Sequence, residues 1–125
     1  MTKSIGIDTV YIPRIEKLLN DGNTAFFEHT FTEAENSAAP NSRRRAEYYA
    51  ARFACKEAVF KAVAPLLKGA HFDLRKVETL HHKDGSPYVV IDDYLQNLLD
   101  EAGIEKLLIS VTTEQDYASA IVLAE

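Results

Sequence analysis

The sequence predicts an α+β fold in which a mixed sheet packs on one long helix and shorter helices, in the order β-α-α-α-β-β-α-β-β. Three observations carry that expectation. Residues 42–64 run without glycine or proline, long enough for about six helical turns. Strand-like runs stand at both ends, SIGIDTV near the start and LLISVTT with YASAIVLA at the finish. Between them, KDGSP separates two short apolar runs and reads as a hairpin turn. With 125 residues, 14.0 kDa and 46% hydrophobic residues, the chain has the size and composition of one globular domain spanning residues 1–125.

The elements follow in order. In SIGIDTV, Ile5 and Ile7 take one face and Gly6 and Asp8 the other, with Asp8 near the strand's end. Pro13 suits the first position of a helix that buries Ile15, Leu18 and Leu19 and closes at Asp21-Gly22. Thr32 and Glu35 have capping-box spacing, so a second short helix starts there and stops before Pro40. Asn41 or Ser42 can cap the long helix, which extends to Ala64. Strands are expected at 76–81 and 88–91. A helix capped by Asp92 or Asp93 and ended by Gly103 then leads to the two closing strands.

Composition excludes several function classes. The net charge of −5 argues against non-specific nucleic-acid binding. One cysteine, Cys55, rules out an internal disulfide and a cysteine-based zinc site, and fits a reducing compartment. The first residues lack the long apolar region of a signal peptide, and no apolar run reaches membrane-spanning length, so a cytoplasmic protein is expected. Charge is distributed unevenly. Arg43, Arg44, Arg45, Arg52, Lys56 and Lys61 face only Glu47 and Glu57 along the long helix, which points to a compact anionic ligand or partner.

Two acids stand where acids are uncommon. On a helical wheel Glu57 falls within a stripe made by Ala46, Tyr49, Ala50, Phe53, Phe60 and Ala64. A carboxylate buried there costs on the order of several kcal/mol unless it has a cation, a hydrogen-bond network or a proton. Lys61, one turn on, could supply the cation, and an ordinary exposed pair of that spacing is worth about 0.2 to 0.5 kcal/mol. Asp8 closes an apolar strand although aspartate is depleted in strands. It could equally be a turn or helix-capping residue. Together the two acids offer what a hard cation takes, since magnesium binds one or two carboxylates and leaves its other positions to water and phosphate.

GIDTVYIPRI and RFACKEAVFKA resemble the two signature segments of the holo-acyl carrier protein synthase type of phosphopantetheinyl transferase. FTEAE, KDGSPYVV and ISVTTEQDYASAIVLAE extend the resemblance over nearly the whole chain. The resemblance implies a 4′-phosphopantetheinyl transferase-like fold. It also implies transfer of the phosphopantetheine arm from coenzyme A to a serine of apo acyl carrier protein, releasing 3′,5′-ADP with no covalent enzyme intermediate, in fatty acid biosynthesis or a related pathway. It makes Asp8 and Glu57 the ligands of Mg2+ and puts Lys61 on the phosphates as proton donor to the leaving group. It assigns Arg43, Arg44 and Arg52 to coenzyme A, gives Arg14 a carrier-protein contact, and implies a homotrimer with its cofactor cleft between subunits.

The chain departs from the family pattern twice. After Lys61 it reads Ala62-Val63-Ala64-Pro65-Leu66 where a glycine-rich turn is usual, with Lys68-Gly69 as a later substitute. Thr113 stands where a histidine or aspartate is common. These departures leave open a non-catalytic carrier-binding module, and a transferase for a specialised secondary-metabolism carrier is equally compatible with the pattern. His81 and His82 are neighbours in a strand and point to opposite faces, so they read as hairpin residues rather than a metal pair. Cys55 reads as a small packed thiol, and Tyr48, Tyr49, Phe26 and Phe27 as core.

Overall fold

The computed structural model describes residues 1–69 and 72–125. It bears out the α+β class with a long helix against a sheet. The order is β1 (Ser4–Tyr11), α1 (Ile12–Asn20), α2 (Thr24–Thr30), α3 (Glu33–Ala38), α4 (Arg45–Val63), β2 (Thr79–His81), β3 (Pro87–Val89), α5 (Asp93–Ala102), β4 (Leu107–Glu114) and β5 (Tyr117–Ala124). Single 3-10 turns lie at Ala64–Leu66 and Leu74–Lys76.

Two details differ from the expectation. Among the described residues the strands pair only antiparallel, in a three-stranded sheet ordered β1-β5-β4 and a separate β2-β3 hairpin, rather than in a mixed sheet. A fourth helix, α2, also precedes the hairpin. Asn23 caps it by accepting from the Phe26 backbone nitrogen, and its Phe27 packs edge-on to Tyr49 of α4. Seven residues are too few for a visible 3.6-residue period, so tertiary aromatic packing holds this helix.

Local signals elsewhere act as expected. Pro13 lies in the first turn of α1, Thr32 and Glu35 form a reciprocal capping box, and Asp92 caps α5, which ends on Gly103 at φ 73°. Ser42 turns the chain before α4 without capping it: its Oγ accepts from the Arg44 nitrogen, and the residue at the N-cap position is Arg44.

The core forms where α4 crosses the three-stranded sheet. Ala50, Ala54, Ala58 and Ala62, four residues apart, are all fully buried, and so are Ala118, Val122 and Ala124 of β5. Small residues on both surfaces allow a close helix-to-sheet approach. Lys56, Val59 and Val63 are also fully buried because the hairpin and shorter helices cover the other flanks of α4. This corrects the predicted stripe: Phe60 is 37% exposed and Phe53 only partly buried. Phe53 and Phe60 mark the wrong face of a helix whose sheet-facing side is built from alanine, whereas Ala46, Tyr49 and Ala50 of the same stripe are buried.

Candidate active site

β1 and α4 touch where neither has a large side chain. A Cβ on Gly6 would lie 2.0 Å from the Ala58 carbonyl oxygen and 2.8 Å from the Ala62 nitrogen, so only glycine permits this approach. Two residues further along the same inward face, Asp8 is carried against the last turns of α4. Lys61 Nζ donates to Asp8 Oδ1 at 2.9 Å and to the Ile7 carbonyl oxygen at 3.1 Å. The Asp8 side chain is 16% exposed and that of Lys61 49%. Glu57, one turn before Lys61, is half-buried. Burial and then the charge of Asp8 push its acid up, with Lys61 opposing. Two carboxylates and an ammonium therefore converge from β1 and α4.

A second cluster lies towards the start of α4. Arg44, Glu47, Tyr48, Arg52, His81 and Thr113 are among the residues lining a cavity of about 380 Å³. Arg52 is 5% exposed, and its Nε and Nη1 have no hydrogen-bond partner among the described residues. Its guanidinium lies 5.7 Å from the centre of the Tyr48 ring. Burial pushes the Tyr48 phenol up to about 12, so it stays protonated and donates to the Glu35 carbonyl oxygen at 2.6 Å. Thr113 donates to Glu47 Oε1 at 2.9 Å. Five residues of helix put Arg52 about 7.5 Å along the axis from Glu57 and roughly 140° around it, so the two clusters face different sides of α4.

Between them runs a network that sequence reading passed over. Glu35 and Lys56 are fully buried and paired at 2.7 Å. Lys56 also donates to the Arg75 and Val77 carbonyl oxygens. Glu35 accepts from the Thr32 nitrogen and from both the nitrogen and hydroxyl of Thr79. Its capping-box spacing was visible, whereas its partner 21 residues away was not.

Not all candidates assemble. Arg43 faces a different depression beside Arg45 and Glu16. Arg14 is exposed on α1. His82 stacks on Tyr88 at 4.4 Å. Cys55 is fully buried, and burial pushes its thiol up to about 11, which fits a packed thiol. Gly69, at φ 77°, supplies a left-handed turn residue beyond Lys61.

The model of the 4′-phosphopantetheinyl transferase superfamily matches residues 4–122. The chain belongs to this superfamily. Among curated relatives of the transferase, the holo-[acyl-carrier-protein] synthase of Syntrophotalea carbinolica is 34% identical over 97% of this chain and 94% of its own length. The solved holo-[acyl-carrier-protein] synthase from Neisseria meningitidis superposes with a TM-score of 0.84 at 32% identity, covering 100% of this chain and 99% of that one. The Bacillus anthracis holo-(acyl-carrier-protein) synthase in complex with CoA (3′,5′-ADP) gives a TM-score of 0.75 at 28% identity, covering 99% and 96%. The transferase fold thus extends over essentially the whole chain, including the segment without the glycine-rich turn.

Proposed function

We infer that this chain is a holo-acyl carrier protein synthase, which transfers 4′-phosphopantetheine from coenzyme A to a serine of apo acyl carrier protein and releases 3′,5′-ADP. The observation that carries the site assignment is the convergence of Asp8, Glu57 and Lys61 at the junction of β1 and α4. In the reaction the serine oxygen bonds to the β-phosphorus, and the bond from that phosphorus to the bridging oxygen breaks. Positioning and charge neutralisation supply most of the catalysis in such transfers.

The two carboxylates fit a magnesium ion. They are hard oxygen donors near enough for the charge of Asp8 to push the Glu57 acid up, and among the described residues no third His, Cys, Asp or Glu gathers with them. That arrangement suits a cation that keeps positions for water and phosphate. When bound, the ion would neutralise charge on the pyrophosphate oxygens. Lys61, half-exposed on a flexible stem, reaches the phosphates from the same side and delivers a proton to the departing oxygen. The serine proton passes to a carboxylate of the site or to a water held beside it.

Arg52 holds a buried positive charge with no ion pair among the described residues and with Nε and Nη1 unbonded, which is costly unless a ligand anion answers it. Together with Arg44 in the same cavity, it supports a phosphate-binding role towards coenzyme A. Exposed Arg43 and Arg14 are read as outer contacts, Arg43 to coenzyme A and Arg14 to the acidic carrier protein. Because the arginine cavity and the acids face different sides of α4, a cleft between two copies would join the halves. The outer sheet face supports such an assembly, with Ile5 57%, Ile7 61%, Tyr11 46% and Tyr117 50% exposed. We read the protein as a cytoplasmic homotrimer of one transferase domain, residues 1–125, serving fatty acid biosynthesis. No helix among the described residues is long and apolar enough to cross a membrane.

The test is to incubate the protein with coenzyme A, Mg2+ and apo acyl carrier protein and to measure the carrier's mass. The phosphopantetheine increment is expected, and it should disappear in Asp8→Ala and in Glu57→Ala. No increment with any carrier would overturn the activity, and a full rate in either variant would overturn the site. A monomeric mass by light scattering would remove the shared cleft.

A further inference from the structure

Lys61 is bonded to a carboxylate that the proposed reaction gives to a metal ion. Its ammonium is 2.9 Å from Asp8 Oδ1 and 3.1 Å from the Ile7 carbonyl oxygen, so both contacts tie it to β1, one of them through a carboxylate oxygen that the metal would take. An ion held by Asp8 and Glu57 would bond carboxylate oxygen at about 2.1 Å. Two cations on one carboxylate repel each other, and nothing seals Lys61 in place, since its side chain is 49% exposed.

We propose that Lys61 is the placeholder of the metal: it neutralises Asp8 in the unloaded protein and yields that carboxylate only when pyrophosphate offers its ammonium another acceptor. This rests on the reading that Asp8 and Glu57 hold the metal, and it adds an energetic coupling to it. The ion displaces Lys61 towards the phosphates, and phosphates that draw Lys61 away open Asp8 to the ion. Each ligand therefore tightens the other by the same factor. The protein binds metal weakly without coenzyme A, and the lysine reaches its position for transfer only when both are bound.

The test uses Mn2+, whose free form is counted by its electron paramagnetic resonance signal, on the assembled protein with and without coenzyme A, corrected for coenzyme A and Mn2+ alone. Removing a unit charge about 5 Å from a divalent ion, screened by salt, corresponds to roughly fivefold in affinity. Lys61→Met should therefore bind Mn2+ alone about fivefold tighter than the parent. The factor by which saturating coenzyme A tightens Mn2+ should also shrink in the variant. Lys61→Gln should behave alike, with unchanged melting curves in both showing an intact fold. If both variants bind Mn2+ alone no tighter than the parent, the placeholder role is wrong. The metal reading survives that result provided Asp8→Asn abolishes binding. If neither the parent nor the variants bind Mn2+, both ideas are overturned.

Discussion

Gly6→Ala tests the contact on which the acid cluster depends. The added methyl group would start 2.0 Å from the Ala58 carbonyl oxygen, 3.0 Å from the Ala58 carbonyl carbon and 2.8 Å from the Ala62 nitrogen. All three are backbone atoms, so no flexible side chain can give way. Restoring a carbon-to-oxygen contact of about 3.4 Å requires β1 and α4 to separate by roughly 1.4 Å. Asp8 is two residues away on the same strand face. A shift of that size would carry Asp8 away from Glu57 and force Lys61 to follow it to keep its 2.9 Å bond. Overpacking costs about 1–3 kcal/mol, and a collision between two backbones belongs at the upper end. At that cost a domain of this size should melt roughly 10 °C lower. Misplacing a reacting group by about 1 Å can lower turnover around a hundredfold. Melting followed by circular dichroism and carrier loading measured at 10 °C separate the two effects. A variant that melts within 2 °C of the parent and loads carrier at the parent rate would refute the claim that this contact positions Asp8.

Three further outcomes follow from the geometry. Arg52→Met removes a buried cation whose Nε and Nη1 have no hydrogen-bond partner among the described residues, so it should raise the melting temperature of the free protein while increasing KM for coenzyme A at least tenfold. A lower melting temperature with unchanged KM would show that Arg52 is structural. Glu57 has its acid raised by burial and Asp8, so the folded state binds protons more readily than the unfolded chain, and stability falls as pH rises through the folded value. Glu57→Gln should therefore melt above the parent at pH 8, with the gap closing towards pH 4. A gap independent of pH, or of opposite sign, would contradict this. Lys56→Met strands the fully buried Glu35 carboxylate and should cost about 3–5 kcal/mol in urea unfolding. A loss below about 1 kcal/mol would show that the network is not needed.

Much of the fold was legible because its signals are local. Pro13, the Thr32–Glu35 box, Asp92 and Gly103 act within one helical turn of themselves, and each marks a boundary near the observed one. Helix α2 was not legible because its support is Tyr49, some twenty residues away. The hairpin strands are shorter than the apolar runs suggested, since Leu74–Lys76 winds into a 3-10 turn before β2 begins.

The acids of the candidate site could be picked out before any coordinates, but on one reason that did not hold. Glu57 looked out of place within an apolar stripe, whereas the structure puts that residue at the half-buried flank of α4, where Asp8 arrives from β1. Residue types and short spacings were enough to nominate Asp8, Glu57, Lys61 and the arginines, because chemistry and one-turn periodicity are properties of the chain. Which of these groups meet was a matter of packing. The bare Gly6 backbone lets β1 onto α4 and joins Asp8 to Lys61. The rotation of α4 sends Arg52 to the other side, into a cavity with Thr113 of β4. Those pairings span 53 and 61 positions of chain, a distance over which no local pattern carries information.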